Sequence, residues 1–406
     1  MRVLFTTPIL EYPAAGGPQL RIENSIKALS NACELDIVHI ASGPEEVIDK
    51  TSRFFRKYGA EYHVLSKAAP DGIFSRGLSL AEKILNRLFD IRTVKQAEYL
   101  LKHIDRRQID ILWFGFGNIS YPLIKYVKAK RPNLKVVCDT DSVWSRFVLR
   151  ELPYARAIRK LRIYHKGRKK EAEERAWVKL CDVTTAVSEV DAEYYKSIAE
   201  EPNRVHLFSN VIDVESYKLA PKPPADFKSP SIYLAGSFGH YNSPMDTATR
   251  WMLDEVFPLI LKVNPNVHFY IVGSNSELGF GHLSGTNVTV TGRLETVLPY
   301  LCNTDIALVP LKFESGTRFK ILEAGTCKVP LVSTTLGAEG IPVVNGEHIL
   351  IADEPNDFAN AIVRLLDDKV LAGKLAINCY NLVNKNFSVE SLIVEAKQIM
   401  EYLNYD

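Results

Sequence analysis

The sequence is poor in the clusters that mark metal and disulfide chemistry. Its six cysteines (Cys33, Cys138, Cys181, Cys302, Cys327, Cys379) stand far apart, with no CxxC pair. Disulfide frameworks and zinc sites both need closely spaced ligands, so these residues read as reduced thiols buried in the core. Nine histidines are scattered without HExxH or similar spacing, and no metal site is expected. The formal net charge is only +2, which makes no case for a nucleic-acid partner. No stretch reaches the roughly 18 apolar residues that a bilayer crossing requires. The apolar run that opens the chain is short and is soon broken by Pro8, Glu11 and Pro13, so it reads as a first strand rather than a signal peptide. The expected location is therefore cytoplasmic. Internal repeats and low-complexity tracts are absent as well.

What is present is ordinary globular composition, 46% hydrophobic and 24% charged, in 406 residues. That length suits two α/β domains better than one core. Short apolar runs at 2–6, 35–40, 109–114, 134–138 and 183–187 predict buried strands. Amphipathic patterns at 19–30, 81–103 and 121–130 predict helices between them. The stretch 219–230 holds four prolines and cannot pack as helix or central strand, so it reads as a linker. Beyond it the alternation resumes, with strands expected at 232–235, 268–272, 287–291, 306–310 and 331–333. Helices are expected at 247–262, 296–303, 319–325 and 355–368. The glycine-bearing stretch 273–281 lacks GxGxxG order and reads as a surface loop. The prediction is an α/β chain of two Rossmann-like domains facing each other across a cleft. The first covers 1–213, completed by a C-terminal helix at 388–406; the linker is 214–230; the second domain is 231–387.

The segment 309–325 carries the most chemistry. A strand ends at Pro310, a loop holds Ser315-Gly316-Thr317, and a helix begins near Arg318. Free amides at a helix start favour an anion, and Gly316 lets a phosphate approach the backbone. Arg318 and Lys320 add positive charge, and Glu323, about a turn further on, can accept hydrogen bonds from ribose hydroxyls. A capped surface helix with solvated charges is the alternative on spacing alone. In the first domain Gly16 and Gly17 precede Pro18 and a helix, either as a second phosphate-approach loop or as a tight strand-to-helix turn. Arg21 can face the same cleft. Asp139 and Asp141 follow a strand as a DxD triplet, where Asp141 and Ser142 can equally be helix caps. Gly236, Ser237 and His240 occupy a loop after the first strand of the second domain; His240 can contact phosphate or be incidental.

The segment 309–325 resembles the C-terminal motif of glycosyltransferase family 4, in the subgroup reading roughly GGGTRLKILEA. The likeness continues through Pro330–Gly340, which is similar to "PVVSTTLGAEGL". It also takes in Val290-Thr-Gly-Arg293 with Leu298–Leu301, and Trp251 with Val256–Ile260. In the first domain Cys138–Trp144 is similar to "DVDSxKW", Cys181–Glu189 to "aD..t.VSe", and Asn210–Asp213 to an "NGVD" turn with Val211 in place of glycine. The resemblance implies a retaining GT-B glycosyltransferase with no essential metal or cofactor, because the nucleotide sugar is the donor substrate. Its first domain would lie on the acceptor side and its second would bind the nucleotide sugar. It implies that Arg318 and Lys320 hold the donor pyrophosphate, that Glu323 holds the ribose, and that Gly16 and Gly17 cover the donor sugar and phosphates. Arg293 joins the donor-binding set. Where the family has an earlier glutamate, separated from Glu323 by seven intervening residues, this chain has Ser315, with Glu314 one place off. Glu314, Gly316, Thr317 and Asp141 are the candidate catalytic residues. The implied reaction moves a hexose-type sugar from a UDP- or GDP-type donor to a glycan or lipid-linked acceptor, as in polysaccharide biosynthesis. The rivals are a nucleotide-sugar epimerase and a non-catalytic scaffold partner.

A basic belt at 155–179 interleaves Arg156, Arg159, Lys160, Arg162, Lys166, Arg168, Lys169 and Lys170 with Leu161, Ile163 and Tyr164. It is either a solvated helical face or a peripheral contact with anionic lipid at the inner membrane face.

Overall fold

The computed structural model describes residues 1–14, 16–66, 90–239, 241–316 and 318–405. The expected His240 and Thr317 contacts, and the 81–89 part of one expected helix, lie outside the described residues. The chain divides into two compact units. One comprises Met1–Val148, Arg156–Asn210 and Leu392–Asp406; the other comprises Leu149–Ala155 and Val211–Ser391.

The first unit holds a seven-stranded sheet in the order β3-β2-β1-β4-β5-β6-β7, parallel throughout. Its strands are β1 (Arg2–Thr7), β2 (Glu34–Ala41), β3 (Glu61–Ser66), β4 (Ile111–Gly115), β5 (Lys135–Asp139), β6 (Val183–Ala186) and β7 (Val205–Leu207). Val3, Leu4, Phe5, Leu112, Trp113 and Val137 are all fully buried. Helices cover both faces of such a sheet, which is why its central strands are continuous apolar runs. The edge strands carry no such run: β3 mixes Glu61 and His63 with apolar residues, and β7 is three residues long.

The second unit holds six parallel strands in the order β10-β9-β8-β11-β12-β13. These are β8 (Ser231–Ala235), β9 (His268–Val272), β10 (Val288–Val290), β11 (Ile306–Val309), β12 (Leu331–Ser333) and β13 (Leu350–Ile351). Strand order reverses between β1 and β4 in one sheet and between β8 and β11 in the other. At such a reversal the connections leave in opposite directions and open a crevice at the carboxyl ends.

Several local expectations change. The single helix expected over 247–262 is Pro244–Trp251 and Phe257–Val263, joined by a wider turn at Met252–Val256. Pro258 lacks an amide hydrogen and crowds the preceding turn, which the widened turn relieves. The 273–281 surface loop instead contains a helix, Ser276–Phe280, with both its end residues buried. The linker is packed rather than loose: Phe227 stacks on Tyr270 at 4.7 Å, and Lys228 N donates to the Tyr270 hydroxyl at 2.6 Å. Only Cys138, Cys181 and Cys379 are buried, while Cys33, Cys302 and Cys327 are half-exposed; all six are free. In the final helix, Val389–Tyr405, Glu395 accepts from the Ser209 amide at 2.6 Å and its hydroxyl at 2.8 Å.

Candidate active site

The reversal in the second sheet places two loops side by side, one after β8 and one after β11. The first is braced by its neighbour: Gly236 N donates to Val272 O at 3.0 Å and Phe238 N to Ser274 O at 2.8 Å. Gly273 has φ +127°, and a Cβ there would lie 2.0 Å from the Gly236 carbonyl oxygen, so only glycine fits. Gly236 is half-buried and Ser237 exposed. Arg293 is exposed just after β10, two strands outward from the reversal.

The loop after β11 turns at Gly316, with φ +85°. Arg318, buried at 4% exposure, donates to the Gly316 carbonyl and, at 3.4 Å, to Leu336 O. The guanidinium therefore braces the turn from behind as well as charging it. Helix Phe319–Thr326 follows and carries Lys320 and Glu323. Burial pulls the Lys320 ammonium below its usual range, against the opposing pull of Glu314 and Glu323. Burial pushes the Glu323 carboxyl up, partly countered by Lys320 and by the Tyr217 hydroxyl, which donates to it at 3.1 Å. Glu314, Arg318, Lys320 and Glu323 thus form one electrostatic group. The Ser315 hydroxyl is buried with no hydrogen-bond partner among the described residues.

Residues the sequence did not single out hold this loop. Arg150 donates to Glu314 O at 2.7 Å and grips Glu339 with both terminal nitrogens, at 2.7 and 2.8 Å. Tyr154 stacks on Phe313 at 5.2 Å, and the Lys312 ammonium lies 3.6 Å from the centre of the Trp251 ring. Arg150 is separated from its partners by more than 160 residues, so no spacing rule could have found it. Tyr217 lies inside the expected linker, where nothing in the spacing marks it.

In the first unit Gly16 and Gly17 stand at the start of helix Gly17–Ser30, after β1 and beside the other reversal, and Pro18 opens the helix. Gly16 has φ 171°, an extended conformation open to any residue, and a Cβ there would meet nothing closer than 3.8 Å. Local structure does not itself demand glycine at this position. Arg21 does not face open space: at 2% exposure it pairs with Asp139 and donates to Phe208 O at 3.1 Å and Asn210 Oδ1 at 2.8 Å. Asp139 is fully buried and also accepts from the Thr185 hydroxyl at 2.7 Å. Asp141 accepts from the Asn118 amide and, at 3.0 Å, from the Trp144 indole; burial raises its carboxyl above the usual range. Asn118 follows β4 in the glycine-flanked run Gly115-Phe-Gly-Asn118, a signal that the sequence did carry.

Among the described residues, one side-chain group has metal-ligand proximity: donor atoms of Glu61, His63 and His103 lie within 4.8 Å of one another. Two of the donors are already committed to partners outside the trio. Glu61 pairs with Arg106 and Arg107, and His103 binds Asp36 at 3.0 Å. Two guanidiniums beside the cluster fit an ion-pair network better than a cation.

Comparison with known proteins agrees with this architecture. Residues 41–216 match the family model described as Glycosyltransferase Family 4, and residues 230–368 match Glycosyl transferases group 1. A protein of Klebsiella pneumoniae described as an uncharacterized 44.6 kDa protein in the cps region is 24% identical over 147 residues, spanning 34% of this chain and 38% of its own length. Among solved structures, HepE of Anabaena in complex with UDP-glucose matches with TM-score 0.65 at 13% identity, each chain covered fully. Sucrose-phosphate synthase of Thermosynechococcus elongatus matches with TM-score 0.70 at 16% identity, again over both whole chains. A glycosyltransferase family model thus matches within each half of the chain, and its two parallel α/β sheets, wound alike, give it the GT-B fold that these solved structures share.

Proposed function

We propose that this chain transfers a sugar from a UDP-type donor to a glycan or lipid-linked acceptor, with retention of anomeric configuration, in the assembly of a cell-surface polysaccharide. The observation that carries the reading is the group Glu314, Arg318, Lys320 and Glu323 gathered at the reversal of the second sheet. Lys320 would bind the donor diphosphate directly, while Arg318 fixes the Gly316 turn and adds positive potential where the departing diphosphate gains charge. Glu323, steadied by Tyr217, would accept from the ribose hydroxyls. UDP-glucose in the HepE structure supports uridine as the base, and the cps-region relative supports a polysaccharide setting. In the retaining reading the acceptor attacks from the side the diphosphate leaves. No protein nucleophile is assigned.

The test is binding and turnover across UDP-, GDP-, ADP- and dTDP-sugars, comparing the native chain with Lys320→Ala. Losing a charge-assisted hydrogen bond costs about 1.5–3 kcal/mol, so donor affinity should fall roughly ten- to a hundredfold. Slow nucleotide release from one donor supports transfer. Binding of no nucleotide sugar would leave only the scaffold reading, and release of an epimerised sugar nucleotide would favour the epimerase.

A peripheral site for the enzyme is part of the same proposal. No helix among the described residues is long and apolar enough to cross a membrane. Helix Ala157–Leu180 exposes Ile158, Leu161 and Tyr164 at 84%, 63% and 50%, in a stretch from Arg156 to Lys170 that has no acidic residue. Apolar side chains beside unbroken positive charge suit an anionic lipid surface. Flotation with phosphatidylglycerol vesicles at low salt should carry the protein upward; failure to float removes this part.

A further inference from the structure

The six cysteines are dispersed in sequence, yet the fold brings two pairs of them together. In the second unit Cys302 Sγ lies 3.4 Å from Cys327 Sγ, although 25 residues separate them. Both are half-exposed. In the first unit Cys138 and Cys181 also share a thiol hydrogen bond, but both are fully buried.

The two pairs differ in what a thiol needs in order to react, namely thiolate character and access. Burial, then the Cys181 contact, push the Cys138 thiol up. Cys302 goes the other way: its hydrogen bond with Cys327 holds it below the usual thiol range, while Cys327 is pushed up by the same contact and by burial. One sulfur poised as nucleophile beside a protonated partner is the arrangement of an attacking thiol and its resolving thiol.

The location ties the pair to the candidate donor site. Cys327 directly ends helix Phe319–Thr326, and its amide donates to Glu323 O at 3.0 Å. Cys302 ends the short helix Leu298–Leu301, which leads into β11. We propose that Cys302 and Cys327 form a reversible disulfide on exposure to a hydroperoxide or a small-molecule disulfide, and that closing it shifts the helix bearing Lys320 and Glu323. With a small-molecule disulfide, the Cys302 thiolate attacks one sulfur and expels a thiolate. Cys327 then gives up its proton to solvent and attacks Cys302 in the mixed disulfide, expelling the second thiol. The two protein thiols are oxidised by two electrons and the small disulfide is reduced to two thiols. A disulfide needs its sulfurs at about 2.05 Å, so the pair must close by more than an ångström. Cys327 takes the end of the helix with it. The coupling half of the proposal rests on the donor-site reading above; the disulfide half does not.

The experiment treats the reduced full-length protein with oxidised glutathione or hydrogen peroxide, removes the reagent, and counts thiols after denaturation. The count should fall from six to four, the intact mass should drop by two hydrogens, and peptide mapping should join Cys302 to Cys327. Dithiothreitol should reverse all three changes, and Cys302→Ser should not form the link. A count that stays at six, or a link mapped to Cys138–Cys181 or to Cys33, overturns the disulfide in the native chain whether or not the variant folds. The coupling predicts that UDP-sugar affinity drops about fivefold or more on oxidation and returns on reduction; equal affinity in the two states overturns it. Should the reduced protein bind no UDP-sugar, the donor-site reading falls while the thiol count still decides the disulfide.

Discussion

The carboxyl ends of β1 and β4 and those of β8 and β11 occupy the same topological position in two sheets, but their side chains are committed differently. In the first sheet the acids at this end are met from within. Arg21 and Thr185 serve Asp139, and Asn118 and Trp144 serve Asp141. In the second, burial displaces Lys320 and Glu323 in opposite directions, as it also raises Asp141 in the first, and the Ser315 hydroxyl has no hydrogen-bond partner among the described residues. A charge already matched inside the protein gains little from a ligand. A desolvated charge with incomplete partners gains much. Topology supplied the crevice twice, and the loop residues set the two ends apart; the proposed function places the donor anion at the second.

The sharpest way to break this comparison is Arg21→Ala. It leaves Asp139 buried without its cation, which should cost about 3–5 kcal/mol of stability, read as a lower urea midpoint. Donor affinity of the folded fraction should stay unchanged. Near-native stability with lost donor binding would move Arg21 to the ligand and dissolve the contrast.

A smaller effect is expected at Arg150, which acts on the second site through the Glu314 carbonyl. Arg150→Ala should raise the donor KM about tenfold, the scale of one charge-assisted hydrogen bond, with kcat changing less. Arg150→Lys should recover part of the loss. A fall in kcat alone would contradict a role in positioning the loop.

The gentlest probe is pH. Lys320 must be protonated to pair with phosphate, and burial lowers its free-state pKa below the ordinary 10.5. Donor affinity should therefore fall as pH rises through that lowered value, because binding must take up a proton there. Glu323 must be ionised to accept from ribose, and its pKa is raised above 4.5. Affinity should fall again on the acid side as pH drops through the raised value. Titration calorimetry across this range should give a bell narrower than ordinary lysine and glutamate would produce, and Lys320→Ala should flatten its alkaline limb.

Much of this was legible in the residues. Buried strands such as 2–6, 232–235 and 268–272 announce themselves because parallel strands covered on both faces are apolar throughout. The edge strands β3 and β7 did not, since partial exposure and short length erase that signal. The segment 309–325 was visible as a strand, a glycine turn and a charged helix start. Arg21 was misleading: an arginine one turn into a helix after a glycine loop looks free for a ligand, and only the packed structure reveals the buried Asp139 waiting for it.

By itself, then, the sequence determined the α/β alternation and the charged loop after β11. These depend on local periodicity and on residues close together in the chain. Tertiary structure alone decided strand order, the two reversal points, the Arg150 clamp, the enclosure of Arg21 and the meeting of Cys302 with Cys327. Each is a contact between residues remote along the chain, set by packing and by the matching of buried charges rather than by any local pattern.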